Sequence, residues 1–413
     1  MTTQNMKSQP ANCLPADPSH QSFLGPLGWL LTFIFIPFGS AVPGFLILLA
    51  EHIRQLFCKQ KTTPPLFEKP RLVVWTNRLF IILIGVMLIC GIFSPKPFLA
   101  IGFSVLFGLV FYVFVFGGQS MGMSAGFTAK YLPLLGVSSV LASIIALTRY
   151  FLLDLERATN IAPNSWNGFG TILIFVGGII TGYLSWRGGK WRYLIFPYLA
   201  LIIATLVATK SRGGWAGFIA MLGCLSIFKR KMVALFLIFI ILTVIAFLSF
   251  PPLMERLTST AEIISRTFIW RSTWRMIQDH PLTGIGNGVY PIIYKEYLLP
   301  GAPESSVSFS HNLFLQVTAE LGLIGLLVFS VLLILILKLN YSLAKTGNPL
   351  YQGIFASIIG VLVHQQVDLP IWGFDIGGAF WMLVGVSIGL YRNTFQQEQS
   401  PPTNPDSNQK TFN

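Results

Sequence analysis

Long apolar runs, each about the length of a membrane-crossing helix, follow one another along the chain and are broken only by short clusters of basic residues, prolines and glycines. The runs are apolar on every face instead of alternating, which predicts helices and not the strands of a barrel. About 20 such residues cross the roughly 30 Å hydrocarbon core. Spans are expected at about 79–94, 98–117, 131–149, 169–186, 193–210, 214–228, 232–250, 312–337, 350–368 and 373–391. A first apolar segment, 25–50, is interrupted by PFGSAVPG (Pro37 to Gly44). It is either one bent helix or two half-length pieces folded back on each other. At 1.5 Å per residue it supplies about 39 Å, too little for two full crossings. The expected fold is therefore an all-α polytopic membrane protein with eleven spans, or twelve if the first segment crosses twice. One long interruption, Pro251 to Ser310, stands apart from this pattern.

Composition agrees with the pattern. The 413 residues are 53% hydrophobic and 10% charged, against about 25% charged in soluble domains. The net charge of +13 does not point to nucleic acid, because the cations fall in short loops beside apolar runs, as the positive-inside rule requires. His52, Arg54, Lys59, Lys61, Lys69, Arg71 and Arg78 mark the loop 51–78 as cytoplasmic. Lys130, RGGKWR (Arg187 to Arg192), Lys229 to Lys231, Lys338, Lys345 and Arg392 then fall on the same side. That register puts SRGGW (Ser211 to Trp215) and the long interruption outside. Residues 1–25 and 393–413 are polar and are expected to be disordered cytoplasmic tails; the first lacks the plan of a signal peptide. Cys13, Cys58, Cys90 and Cys224 are scattered singly, so neither a disulfide framework nor a metal spacing is implied.

Candidate chemistry gathers around the interruption. His311 stands where apolar character resumes, and an imidazole with an ordinary pKa near 6.5 suits general-base work; the plainer reading is an interfacial histidine capping a helix. Arg212 and Arg266 are outward-facing arginines, whose planar forks grip phosphate; the plainer reading is contact with lipid headgroups. Ile263 to Asp279 has the spacing of an amphipathic helix, which would carry Arg271 and Arg275 and set Trp270 and Trp274 on one face. LTGIGNG (Leu282 to Gly288) lacks the features of a phosphate loop and is expected to be a turn back towards the bundle. Asp154 and Glu156 have the spacing of a divalent-metal pair, but sit beside Arg149 and Arg157 as an ordinary solvated pair would. His364 and Asp368, at i and i+4, form a polar patch near the end of a span. Glu320, buried deeper, needs a partner, for which an arginine is one choice.

The order of SRGGW, RTFIWRSTWRMIQDHP (Arg266 to Pro281), LTGIGNG, and His311-Asn312 followed by Gly322 and Gly325 resembles the O-antigen ligase and polymerase family of bacterial polysaccharide enzymes over roughly 198–337. The resemblance implies a GT-C-like bundle of about twelve helices: N-terminal spans over 26–197, a ligase-like region over 198–337 with an extracytoplasmic loop 251–311, and C-terminal spans over 338–392. It implies His311, Arg212 and Arg266 as catalytic residues. Beside them Arg271, Arg275, Asn312, Glu320, His364 and Asp368 are expected, on the reading of the residues themselves, to take part in substrate binding. The donor it implies is a glycan on a polyprenyl diphosphate. The acceptor is a hydroxyl on a glycan, a lipid or a protein. The setting is the bacterial inner (plasma) membrane, with the active site on its extracytoplasmic face. Arginines take the place of a metal, so no cofactor is expected. The rival class is a transporter, of a small anion such as bicarbonate or of a lipid-linked sugar, to which a long loop ending in a histidine is of little use. Ligation and polymerisation need the same donor chemistry, so the motifs leave that choice open.

Overall fold

The structure, a computed structural model, describes residues 24–397 apart from 39, 58–69, 125–126, 160–165, 373 and most of 229–257. The expected tails and the expected span 232–250 therefore lie wholly or largely outside the described residues. Among the described residues all regular structure is helical.

The first apolar segment is two short helices, α1 (Leu24–Phe35) and α2 (Val42–Phe57), packed against each other. Their backbones approach at Gly28 and Gly44, where a Cβ on Gly28 would lie 2.8 Å from Leu48. Neither is long enough for a full crossing at 1.5 Å per residue. Then come α3 (Arg71–Ile92), α4 (Pro97–Gly122), α5 (Leu132–Leu152), α6 (Trp166–Arg187), α7 (Ile195–Ala208) and α8 (Arg212–Phe228). After the long interruption, whose main element is α9 (Ala261–Asp279), follow α10 (Leu313–Lys345), α11 (Pro349–His364) and α12 (Phe374–Gln397). Among the described residues six helical stretches are long and apolar enough to cross a membrane: 71–92, 97–122, 127–152, 166–187, 189–208 and 313–345.

Two boundaries differ from expectation for physical reasons. The first full span begins at Arg71, not at 79. Basic residues end an apolar run without ending a helix, and Arg78 folds over the Trp75 ring at 5.2 Å, a snorkelling arrangement that keeps the helix going into the headgroups. At the other end of the chain the expected span 350–368 stops at His364. Asp368 lies beyond the helix, so His364 and Asp368 are not neighbours on one helical face.

Helices in lipid gain little from hydrophobic contact with one another and pack through small residues. α6 is the central helix, buried along nearly its whole length. A Cβ on Gly178 would sit 3.0 Å from the Gly353 carbonyl oxygen of α11, and one on Gly217 of α8 would sit 2.6 Å from that of Gly360. Ser357 Oγ adds a hydrogen bond to the Phe175 carbonyl at 2.8 Å. α12 lies along α4 in the same way through Gly118, which faces the Met382 carbonyl oxygen.

The long interruption from α9 onward is not a slack loop. α9, the turns of LTGIGNG and the helical turns around Tyr290–Tyr297 form their own small core of Ile269, Met276, Ile285, Val289, Tyr290 and Tyr294. That core is rooted in the bundle through Ala100 of α4 and Ala319 of α10.

Candidate active site

SRGGW turns the chain into α8, and each of its residues has a separate contact. Ser211 Oγ accepts the Gly214 N–H at 3.1 Å, as an N-cap does, and donates to Asn167 Oδ1 at 2.7 Å. Gly213 faces His364, and a Cβ there would come within 2.7 Å of the imidazole. Trp215 Nε1 donates to the Leu206 carbonyl at 3.0 Å. Arg212 is left projecting from the first helical turn. A cation there opposes the helix dipole, and the opposition is offset by a bond to the Ser259 carbonyl at 2.8 Å and an ion pair with Glu262 of α9 at 3.0 Å.

The two glycine motifs dock on each other. α10 is broken at Gly322, whose φ of 64° suits glycine and whose Cβ, if it had one, would strike the Leu282 carbonyl. The break frees backbone groups, and LTGIGNG satisfies them. The Leu323 and Ile324 N–H groups donate to the carbonyls of Pro281 (2.8 Å) and Leu282 (3.4 Å), while those of Ala319 and Glu320 accept from Ile285 (2.8 Å) and Gly286 (2.9 Å). Gly284, at φ 67°, is the position where a Cβ would meet Glu320. The Glu320 carboxylate accepts the Gly288 N–H at 3.0 Å and Trp372 Nε1–H at 2.8 Å. Among the described residues its partners are the Gly288 and Tyr290 backbone, the Trp372 indole and the Gln316 side chain, not an arginine. Glu320 thus ties the long segment to the link between α11 and α12.

The docked segment and the start of α10 fix His311. Asn312 caps α10 by accepting the Leu315 N–H at 3.0 Å, and its amide donates to the Gln366 carbonyl at 3.0 Å. The Leu313 N–H donates to the Gln365 carbonyl at 2.9 Å, and Trp270 Nε1 of α9 donates to the Ser310 carbonyl at 3.0 Å. Held on both sides, His311 takes a left-handed backbone conformation, φ 55°, a region that a non-glycine residue enters at a cost of roughly 1–2 kcal/mol. Its Nδ1 lies 3.2 Å from Asp368 Oδ1. Burial pushes the Asp368 carboxyl up, but the bond from His311 and the charges of the two histidines more than offset this and hold it below the usual aspartate range. An ionised carboxylate only accepts, so the proton of a neutral His311 sits on Nδ1. Nε2 then carries the lone pair, and it makes no hydrogen bond to the described residues. Behind the pair lies His364, buried, its Nδ1 2.7 Å from Thr171 Oγ1 of α6.

Arg266 is one turn beyond Glu262 on α9 and within electrostatic reach of His364. The structure thus gathers His311, Asn312, Asp368, His364, Arg212 and Arg266 at one end of the bundle. Arg271 and Arg275 fall elsewhere: with Trp270 and Trp274, on one face of α9 as expected, they line a neighbouring open groove of about 660 Å³ that reaches Leu315. Two further residues, Arg157 and Glu262, meet here. Arg157 pairs with Glu262 at 3.2 Å and with Glu156 at 3.4 Å, and its guanidinium stacks 4.5 Å from the Trp166 ring. Glu262 therefore bridges two arginines, Arg157 and Arg212. Nothing in the spacing of either residue signals this. Among the described residues no group of three or more His, Cys, Asp or Glu is placed to hold a metal ion.

The fold and this site define a polytopic helical membrane protein with its polar chemistry gathered at one end. Residues 197–330 match the family model described as O-Antigen ligase, a range that holds SRGGW, α9, LTGIGNG and His311 through Gly325, the same family that the order of motifs resembles. A Rickettsia conorii protein with the provisional name polysaccharide ligase RC0486 is 24% identical over 239 residues, which are 52% of this chain and 56% of that relative. The chain spans about half the length of the curated relative it matches. Arg157, His364 and Asp368 all lie outside the matched range 197–330.

Proposed function

We propose that the chain is an inverting glycosyltransferase of the ligase or polymerase kind, moving a glycan from a polyprenyl-diphosphate donor to a hydroxyl acceptor on the extracytoplasmic face of the bacterial inner membrane. The observation that carries the reading is the His311–Asp368 pair: a histidine with its Nδ1 bound to an ionised carboxylate and its Nε2 left to accept a proton, beside an arginine-rich cluster. In the reaction the acceptor oxygen attacks the anomeric carbon, and the bond from that carbon to the phosphate oxygen breaks. The hydroxyl proton passes to His311 Nε2, and the bonding pair leaves with the diphosphate. Asp368 stabilises the resulting imidazolium. Arg212 and Arg266 bind the diphosphate and offset the charge that grows on it as it leaves, the role a metal fills elsewhere. Glu262 holds Arg212 when no donor is bound, and the diphosphate takes its place. The cations and tryptophans lining the neighbouring groove, the exposed Arg271, Arg275 and Trp274 with the half-buried Trp270, are suited to the sugar chain, since indole rings stack on apolar sugar faces.

The test is donor retention measured by native mass spectrometry alongside transfer activity. His311→Ala should lower transfer steeply and keep the lipid-linked donor bound, whereas Arg212→Lys and Arg266→Lys should weaken both. Equal donor loss from all three variants, or full activity in His311→Ala, would overturn the reading. Sidedness is tested separately with a membrane-impermeant thiol reagent on spheroplasts, in a background without native cysteines. Ser306→Cys should be labelled and Lys190→Cys should not.

A further inference from the structure

The end of the bundle opposite His311 carries a second concave feature. The first halves of α5 and α7 and the last turns of α6, with the tight helical segment Gly189–Leu194 between α6 and α7, enclose a cavity of about 700 Å³. Its walls are mostly apolar, with Leu132, Val140, Ile180, Leu184 and Leu201 among them. Arg187 and Trp191 stand at its rim, the guanidinium 5.2 Å from the indole ring. Lys130, Lys190 and Arg192 are exposed at the same end, and among the described residues none of these four cations forms a salt bridge.

Position and depth say which lipid fits. α6 runs from Asn167, bonded to Ser211 at the candidate active site, to Arg187 at the cavity rim, about 30 Å at 1.5 Å per residue. The cavity thus belongs to the membrane leaflet away from His311. Along α5 it extends from Leu132 to Leu141, about 14 Å, which is roughly half the 30 Å hydrocarbon core and so the depth of one leaflet. Its mouth has the aromatic and basic residues that sit at headgroup level, with cations in excess of acids. We infer that this cavity binds an anionic phospholipid of that leaflet, an acyl chain in the apolar part and the phosphate against Arg187, Lys190 and Arg192. The site is independent of the glycan-transfer reading. The polyprenyl donor is a poorer occupant, because its diphosphate is placed at the opposite membrane face.

The full chain, purified in detergent, would be given phosphatidylglycerol and phosphatidylcholine in equal amounts and read by native mass spectrometry. Phosphatidylglycerol should be retained preferentially. Arg187→Gln combined with Lys190→Gln should lower that preference by about fivefold per charge, the effect of a cation near anionic headgroups. Gly136→Leu or Val137→Phe, which fill the cavity and leave every charge in place, should lower retention of both lipids. Variants are compared only where gel filtration shows the same monodisperse peak, and two cavity fillings are offered so that one misfolded variant does not end the test. Equal retention of the two lipids by the unaltered protein overturns the proposal, as does undiminished retention in a folded cavity-filled variant. Displacement by inorganic phosphate would reduce the site to a plain anion site, and displacement by a polyprenyl phosphate alone would reassign the cavity to an isoprenoid; either result also overturns the proposal.

Discussion

Two polar assemblies share one end of the bundle and are built in opposite ways. His311 is fixed by backbone bonds on both sides, by a helix cap and by a buried carboxylate, and its own backbone is held in a strained region to keep it there. Arg212 bonds the Ser259 carbonyl and Glu262, a part-exposed carboxylate that it shares with Arg157. Part-exposed ion pairs of that kind contribute only about 0–1 kcal/mol, so the second assembly can exchange its carboxylate for another anion at little cost, while the first cannot move without unmaking the start of α10. A proton acceptor must stay in place through the reaction, and a phosphate clamp must open and close with each turnover. The contrast in construction matches the contrast between the tasks proposed for the two.

The comparison breaks most readily at His311. His311→Ala should lower kcat by roughly 10² to 10⁴, the usual share of a general base, with donor binding kept; a change of under tenfold would move His311 out of the proton transfer. Asp368→Asn puts an N–H donor where an ionised acceptor stood, favouring the tautomer with its proton on Nε2. We expect a somewhat smaller loss of kcat, with KM for the donor little changed. The Asp368 carboxyl is held below the usual aspartate range, so its bond to His311 is fully present above that range and is lost only as the pH falls through the lowered value. From about pH 5 upward Asp368 stays ionised, and a pH–rate profile measured there should show no limb that disappears in Asp368→Asn. Arg212→Lys keeps the charge but loses the fork, and should weaken donor binding by roughly 10- to 100-fold, the worth of one charge-assisted hydrogen bond. Glu262→Gln separates the two assemblies directly. If the carboxylate competes with the diphosphate, donor affinity should rise by up to about fivefold; a fall would make Glu262 a fixed support for Arg212, and the second assembly would then be as rigid as the first.

How much of this was legible in the sequence follows from the range of the forces involved. Helices announced themselves through unbroken apolar runs, and α9 through the spacing of its buried and exposed residues. Boundaries were less visible, because the helix at Arg71 begins beyond the apolar run and Gln365 to Val367 turn the chain out of α11. The positions of His311, Arg212 and Arg266 were marked by motifs that keep their residues close in sequence. What joins them was not marked. Gly322 meets Leu282 across 40 residues, Asp368 meets His311 across 57, and Glu262 meets Arg157 across 105. Such contacts depend on tertiary packing, which one sequence without relatives does not display. Asp368 was singled out as a polar neighbour of His364 on one helix, and its bond is instead to His311, from beyond the helix end.

The smallest effect bears on why His311 is the more rigid of the two groups. At φ 55° any side chain adds strain of roughly 1–2 kcal/mol, which glycine escapes. Glycine has a cost of its own, about 0.4–1 kcal/mol from the greater freedom of the unfolded chain. Both His311→Gly and His311→Ala remove the imidazole and leave Asp368 without its partner, so those losses cancel when the two variants are compared. What remains is the backbone term, and His311→Gly should be the more stable by up to about 1.6 kcal/mol, read as a higher melting midpoint in the same detergent. Alanine equal to or better than glycine would mean that the left-handed turn at 311 relaxes once the imidazole is gone. The rigidity of this corner would then come from the bond to Asp368 rather than from the docking of α10 and LTGIGNG.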